Sequence, residues 1–113
     1  MGTPTAGSVV LVRFPFSDLS QTKLRLAVVL ADAGRGDWIL CQVTSKPYSD
    51  SRAIKLEDSS FSAGSLRVLS YVCPGKLFTA NRDLIVSEVA TLKSPPFQQV
   101  VDAVVDLPRA SSS

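Results

Sequence analysis

The chain has 113 residues, of which 45% are hydrophobic and 19% charged, so it fits one compact domain with enough apolar material for a core. Twelve Lys and Arg residues against ten Asp and Glu residues leave a net charge of +2, which confines any nucleic-acid contact to a local patch. The absence of histidine and the presence of only two cysteines exclude a four-ligand zinc site and a serine–histidine hydrolase.

The two cysteines, Cys41 and Cys73, have apolar sequence neighbours and no CxxC spacing. A secreted domain of this size usually carries more cysteines, so we expect a reducing cytoplasm. The longest apolar runs, such as residues 26–31, are too short to span a bilayer, and Arg13 interrupts the first hydrophobic stretch. These patterns predict a soluble protein with no membrane contact.

Short β-branched runs alternate with turn-forming residues along most of the chain, which predicts a series of short strands. They cover residues 8–13, 24–31, 38–44, 53–56, 66–72, 76–78 and 85–92. After Ser94 the period becomes helical, with apolar residues at Phe97, Val100, Val101, Val104 and Val105. The sequence therefore predicts a mainly β (α+β) domain, in which a curled antiparallel sheet closes as a small barrel with a C-terminal helix across it.

The two ends of the chain are rich in Gly, Pro, Ser, Thr and Ala and offer little to bury. We expect residues 1–7 and 108–113 to be flexible and residues 8–107 to form the domain.

The second and third predicted strands form a hairpin whose register can be read from the sequence. The glycine-rich stretch between Asp32 and Asp37 suits a loop. If these two aspartates face each other, paired residue numbers sum to 69 and Arg25 lies opposite Thr44, on the same face as Gln42. A slip of one residue would undo this pairing.

Both faces of this hairpin are apolar through its middle, so both require a cover. One short helix can hardly cover both, which favours a homodimer.

Only one end of the hairpin is polar, with Lys23, Arg25, Gln42, Thr44 and Ser45. A phosphate is bound by cationic groups, such as the guanidinium of arginine, together with hydroxyl donors, so the cluster is a candidate anion site. A solvated strand end has the same composition, and on composition alone both interpretations stand.

Several ordered motifs carry a family resemblance. The stretches GSVVLVRFPFSDLS (7–20), KLRLAVVL (23–30) and ILCQVTS (39–45) are similar to those of the MazF/PemK-like growth-inhibitor family. The likeness continues through residues 64–66, 70–72, 76–79 and 84–86, and so covers nearly the whole domain.

This resemblance implies an SH3-like barrel, usually a homodimer, that acts as the toxin of a type II toxin–antitoxin pair. Such toxins cleave single-stranded RNA, including mRNA, at short sequences without a metal or cofactor, and leave 2′,3′-cyclic phosphate and 5′-hydroxyl ends. The family's catalytic arginine and threonine match Arg25 and Thr44. The implied partner is an acidic, partly disordered antitoxin that inserts a segment into the RNA groove near Arg25.

The absence of histidine is compatible with this chemistry, because the RNA's own 2′-hydroxyl attacks and the protein chiefly stabilises charge on the phosphorane. Arg25 can grip two non-bridging oxygens, and Thr44 can donate to one of them or to the leaving oxygen. An arginine stays protonated and is a poor general base. Asp18 is the nearest loop carboxylate, and its position equally fits a turn residue that hydrogen-bonds its own backbone.

Six further residues are candidates for binding the substrate: Lys23, Gln42, Ser45, Phe16, Tyr71 and Lys76. Aromatic rings can stack on bases and lysines can contact phosphates. Each also has a structural alternative, such as a loop staple for Phe16, a strand tyrosine for Tyr71 and a solvated lysine for Lys76.

Four positions depart from the family pattern: Ser20, Leu24, Leu26 and Cys73. Many members carry a basic residue at the position of Leu24 and a proline at that of Leu26. These departures leave a second hypothesis open, in which the chain is a weakened toxin homologue or a non-catalytic SH3-like module that binds a protein, including a gyrase-binding relative.

Overall fold

A computed structural model describes residues 5–15, 22–46, 52–66 and 68–111. Within these ranges the chain forms seven strands, two short 3-10 turns and one helix. The elements are β1 (Ser8–Pro15), β2 (Thr22–Gly34), β3 (Asp37–Thr44), β4 (Ile54–Leu56), β5 (Phe61–Gly64), β6 (Ser70–Asn81), β7 (Ile85–Leu92) and α1 (Ser94–Ser111), with 3-10 turns at Asp58–Ser60 and Arg82–Leu84. The predicted mainly β class with a C-terminal helix is confirmed.

Two strand predictions differ from the structure. The separate strands predicted at 66–72 and 76–78 form one long strand, β6, which begins only at Ser70 and contains Pro74 and Gly75. Strand β5 was not predicted, since three of its four residues are exposed and it lacks the alternation of a half-buried strand.

The strands pair antiparallel in the order β4-β6-β3-β2-β1-β7-β5. Among the described residues β4 and β5 do not pair with each other, so the sheet is not closed, although closure was expected. The two edges are nevertheless consecutive in the chain, because only residues 57–60 separate them. The five steps from Leu56 to Phe61 span at most about 18 Å, which forces the sheet to curl.

One face of the sheet is covered by α1. Its main core cluster contains Val9, Val28, Cys41, Val43, Leu56, Phe61, Val72, Ala90, Leu92 and Val100, all buried. From the helix, Val100 is fully buried and Phe97 and Val104 pack against the cluster. Val101 is half-buried and Val105 is 45% exposed, so the buried stripe of the helix is narrower than the sequence pattern predicted.

The opposite face carries a second cluster, formed by Val10, Val12, Ala27, Val29, Leu40 and Ala80. Trp38, Phe78, Leu84 and Ile85 pack around it. None of the six cluster residues is more than 4% exposed in a single chain. A second copy is therefore not needed to cover this face, and the homodimer stays a prediction that rests on the resemblance alone.

The register of the β2–β3 hairpin is confirmed at the end away from its loop, where Leu26 opposes Val43. At the loop end the prediction was wrong, since Gly34 rather than Asp32 faces Asp37. Two register shifts, between Val29 and Ala31 and between Asp32 and Gly34, absorb the difference by inserting one extra β2 residue each.

The turn of this hairpin is two residues long. Arg35 has φ of 55° and Gly36 has φ of 82°, as the right-handed twist of the flanking strands requires of a type I′ turn. Asp32 Oδ1 accepts a hydrogen bond from the Gly34 amide at 2.7 Å, which holds the chain just before the turn.

None of the described helices is long and apolar enough to cross a membrane.

Candidate functional site

Arg25 and Thr44 lie level with each other on neighbouring strands. The pairing of β2 with β3 ends where Leu26 opposes Val43, and the same register continued by one residue sets Arg25 opposite Thr44. On its other side Arg25 opposes Val12 of β1, which is fully buried. Opposed residues project to the same face with Cβ atoms about 5 Å apart, so the guanidinium and the hydroxyl share one side of the sheet.

The same line of residues continues across β6 to the edge of the sheet. Thr44 opposes Tyr71 of β6, and Tyr71 in turn opposes Lys55 of β4. We call Arg25, Thr44, Tyr71 and Lys55 the polar row. It lies on the face opposite α1, because the sequence neighbours of these residues, such as Val72, belong to the helix-side core.

Thr44 has a defined hydroxyl geometry. Its Oγ1 accepts a hydrogen bond from the backbone amide of Lys46 at 3.1 Å. A hydroxyl has one proton to donate, and an oxygen that already accepts from Lys46 can direct that proton towards a ligand. Ser45, between them, is exposed.

Gln42 lies beside a bulge in β6. Strand β6 pairs with β3 on both sides of Gln42, but the four residues 73–76 occupy the stretch opposite that one residue. Pro74 is buried in this bulge, whereas Lys76 is exposed. Bulges re-aim side chains and are common next to functional sites. The bulge thus brings Lys76 to the same end of the sheet as Gln42 and Thr44.

The predicted site residues therefore fall into two groups. The structure brings Arg25, Gln42, Thr44 and Tyr71 to one end of one face, all half-buried, with Ser45 and Lys76 exposed beside them. Lys23 lies in β2 opposite Phe14, but its side chain is outside the described residues, as are Phe16 and Asp18 altogether.

Sequence reasoning missed Lys55. Its alternation with Ile54 and Leu56, which face the helix-side core, indicates that Lys55 faces the other way. That the short strand β4 pairs with β6, and so continues the row from Tyr71, cannot be read from the local pattern.

In the described part of the chain, no three His, Cys, Asp or Glu side chains come together as a group that could hold a metal ion.

Comparison with solved structures identifies the architecture. A MazE–MazF structure from Deinococcus radiodurans superposes with a TM-score of 0.76 at 20% identity, covering 94% of this chain and 96% of that one. A structure of MazF from the same organism gives 0.74 at 22% identity, with 96% and 99% covered. The chain has the fold of MazF toxins.

The MazF-like fold extends to more distant structures. An endoribonuclease in complex with its cognate antitoxin, from a mycobacterial species, superposes with a TM-score of 0.69 at 11% identity, covering 93% of this chain and 92% of that one. No family model and no curated protein matches the sequence.

Proposed function

We propose that this MazF-like protein is a toxin endoribonuclease that cleaves single-stranded RNA, including mRNA, without a metal ion. The observation that carries the proposal is the register of β2 and β3, which sets Arg25 level with Thr44 on the face that α1 leaves open. The names of the similar solved structures, MazF and an endoribonuclease, support the same activity.

In the proposed reaction the 2′-hydroxyl oxygen attacks the adjacent phosphorus. The new O2′–P bond closes the 2′,3′-cyclic phosphate, and the P–O5′ bond breaks. The 2′ proton passes to a base or solvent, and the departing O5′ gains a proton to become the 5′-hydroxyl. Charge accumulates on the phosphorane oxygens between these two events, and this charge is what the protein must stabilise.

Arg25 and Thr44 have complementary roles in this scheme. The planar guanidinium of Arg25 donates two parallel hydrogen bonds to non-bridging oxygens. The Thr44 hydroxyl donates a hydrogen bond to one of these oxygens or to O5′. Its oxygen already accepts from the Lys46 amide, which leaves its proton to face the substrate. Two donors on neighbouring strands are rigidly spaced, so little reorganisation is needed as the charge develops.

Substrate binding is assigned to the polar side chains around this pair. Gln42, Ser45 and Lys76 offer donors next to Thr44, and Tyr71 offers a ring on which a base can stack. Lys23 and Phe16 are likewise proposed to bind the substrate.

We further propose that the protein acts as a homodimer and is inhibited by an acidic antitoxin. The MazE–MazF and endoribonuclease–antitoxin structures with this fold support such a partner. An acidic segment would be attracted to the cationic end of the sheet and compete there with RNA.

A second function, docking of a protein without cleavage, has one observation in its favour. Leu24, which precedes Arg25 in β2 and projects to the opposite face, is 54% exposed at a position where many members of the similar family carry a basic residue. An exposed leucine suits an apolar partner better than a phosphate chain.

One experiment separates the two functions. The purified protein is incubated with a long unstructured RNA in EDTA, and the ends of the fragments are analysed, with Arg25→Ala as the control for a contaminating nuclease. Fragments bearing 2′,3′-cyclic phosphate from the wild type alone support the nuclease. An intact substrate at high protein concentration rejects it and favours the binding module.

A further inference from the structure

We infer that Lys55 is a phosphate-binding residue, and that single-stranded RNA runs across the strands from Arg25 past Tyr71 to Lys55. The inference rests on the proposed function, which it extends by giving the direction of the substrate and a residue outside the sequence motifs.

The pairing of the strands supplies the path. From Arg25 on β2 the polar row crosses β3 and β6 and reaches Lys55 on β4, the edge of the sheet. Three inter-strand steps of about 4.8 Å set the backbones of Arg25 and Lys55 about 14 Å apart along the sheet. A chain lying along the row meets a cation, a hydroxyl, an aromatic ring and a second cation in that order, which is the alternation of charges and stacking platforms typical of single-strand binding.

Lys55 has no evident role in the core. Its neighbours Ile54 and Leu56 pack against the helix-side cluster, whereas the Lys55 side chain is 53% exposed. A lysine in the middle of a three-residue edge strand also discourages pairing with another chain. That protective role requires a charge but no particular partner, so it does not explain the continuity with Arg25 and Tyr71.

The contact of Lys55 with Glu57 gives the inference an internal control. Lys55 Nζ lies 3.4 Å from Glu57 Oε1, and the Glu57 side chain is 58% exposed. An exposed pair of this kind is weak and is readily exchanged for a phosphate. The carboxylate competes with the phosphate for Lys55, so Glu57 opposes RNA binding.

Space for the RNA continues beyond Lys55. An open cavity of about 560 Å³ lies between β4, the first 3-10 turn and the stretch before β6. Lys55 and the carboxylates of Glu57 and Asp58 line one side of it, and Leu66, Val68 and Leu69 line another. The inferred path places the nucleotide that follows the phosphate on Lys55 at the mouth of this cavity.

The test measures the affinity of the full chain for a mixed-sequence 12-nucleotide RNA in which every 2′-hydroxyl is methylated, so that it cannot be cleaved. Affinities are determined over a range of salt concentrations for the wild type, Lys55→Ala, Glu57→Gln and Arg82→Ala. Arg82 is exposed in the second 3-10 turn, where its amide donates to the Gly36 carbonyl of the β2–β3 turn, so Arg82→Ala matches the charge change of Lys55→Ala away from the polar row.

We expect Lys55→Ala to weaken binding about threefold to tenfold and to reduce the slope of log affinity against log salt by about 0.7, the value for one lost phosphate contact on a single strand. Glu57→Gln should strengthen binding about twofold to threefold, and Arg82→Ala should leave it unchanged. A merely structural ion pair would make Lys55→Ala and Glu57→Gln shift in the same direction, which would overturn the inference.

Cleavage of unmodified RNA by the wild type, measured in parallel, distinguishes the two proposals. If the wild type cleaves RNA and Lys55→Ala binds as tightly as the wild type, the inference fails and the proposed function stands. If the opposite shifts are found but no RNA is cleaved, the path is correct and the nuclease activity is rejected. Thermal melting of each variant checks that it is folded.

Discussion

The two faces of the sheet use the same strands for different purposes. On the helix side an apolar cluster extends from Val9 to Leu92, and α1 completes the core with Val100. On the other side the apolar cluster around Leu40 ends at Ala27 in β2. The next residue of β2 on that face is Arg25, which is half-buried. Because alternate residues of β2 serve the two faces, a rigid core on one side holds the polar row on the other in fixed register.

Substitutions on the two faces should therefore have separate effects on stability and on activity. Changes on the helix side should alter the free energy of unfolding and leave the chemistry of the folded molecule intact. Changes in the polar row should do the reverse.

The largest effect is expected for Arg25→Ala. Loss of the guanidinium should lower the single-turnover rate of RNA cleavage by about a hundredfold or more, equivalent to at least about 2.7 kcal/mol, because charge on the phosphorane loses its main stabiliser. RNA affinity should fall much less. The free energy of unfolding should change by less than about 1 kcal/mol, as measured by denaturant titration.

Full cleavage activity in a folded Arg25→Ala protein would remove Arg25 from the mechanism. Loss of activity together with unfolding would mean that Arg25 is structural. That result would contradict the expectation that changes in the polar row affect activity and not stability.

Val100→Ala should give the largest effect on the helix side. Val100 is fully buried between α1 and the sheet, so removing two methyl groups and leaving a cavity should cost about 2.5 kcal/mol. Val105→Ala on the same helix is the matched control, since that side chain is 45% exposed and should change stability by less than about 0.5 kcal/mol. Equal melting temperatures for the two variants would contradict the described packing of α1.

Gly64→Ala should destabilise the edge of the sheet by about 2 kcal/mol. Gly64 has φ of 70°, and an added Cβ would contact the Val89 carbonyl oxygen and lie 2.9 Å from Ala90 Cα. Gly36→Ala shares the backbone strain, at φ of 82°, but meets only Asn81 Nδ2 at 3.5 Å and should cost about 1 kcal/mol. Chemical denaturation of both variants measures the difference, and a greater loss in Gly36→Ala would refute the close approach of β5 to β7.

The smallest of these effects is expected for Thr44→Val, which keeps the shape of the side chain and removes the hydroxyl. Cleavage should slow about tenfold, or about 1.4 kcal/mol, and Thr44→Ser should recover most of the rate. Combining Thr44→Val with Arg25→Ala should cost less than the sum of the single effects, because both groups serve one phosphorane. Strictly additive losses in single-turnover kinetics would argue that they act at separate sites.

The sequence predicted the hairpin register at the Arg25 end although it misjudged the turn. The prediction assumed that Asp32 faces Asp37 across a four-residue loop, whereas the structure has a two-residue turn and two one-residue bulges in β2, so the pairing of Leu26 with Val43 is preserved. The bulges at Leu30 and Ala33 could not be predicted, because they leave no mark in the alternation of a strand that is apolar on both faces.

Non-local features escaped prediction for a different reason. Pro74 and Gly75 are ordinary turn formers, and only the tertiary structure makes them part of a bulge inside β6. The pairing of β4 with β6, and hence the position of Lys55 in the polar row, likewise depends on the curl of the whole sheet. Local sequence patterns contain no information about such neighbours.

The two cysteines also make the β3–β6 pairing measurable in solution. Cys41 Sγ donates to the Cys73 carbonyl oxygen at 3.0 Å, and the two residues are 0% and 1% exposed. A thiol reagent can therefore react only after these strands open, and its rate relative to a free thiol gives the free energy of that opening. The modification rate should rise in Val100→Ala and stay unchanged in Val105→Ala, so that slow fluctuations of the sheet can be followed without any added label.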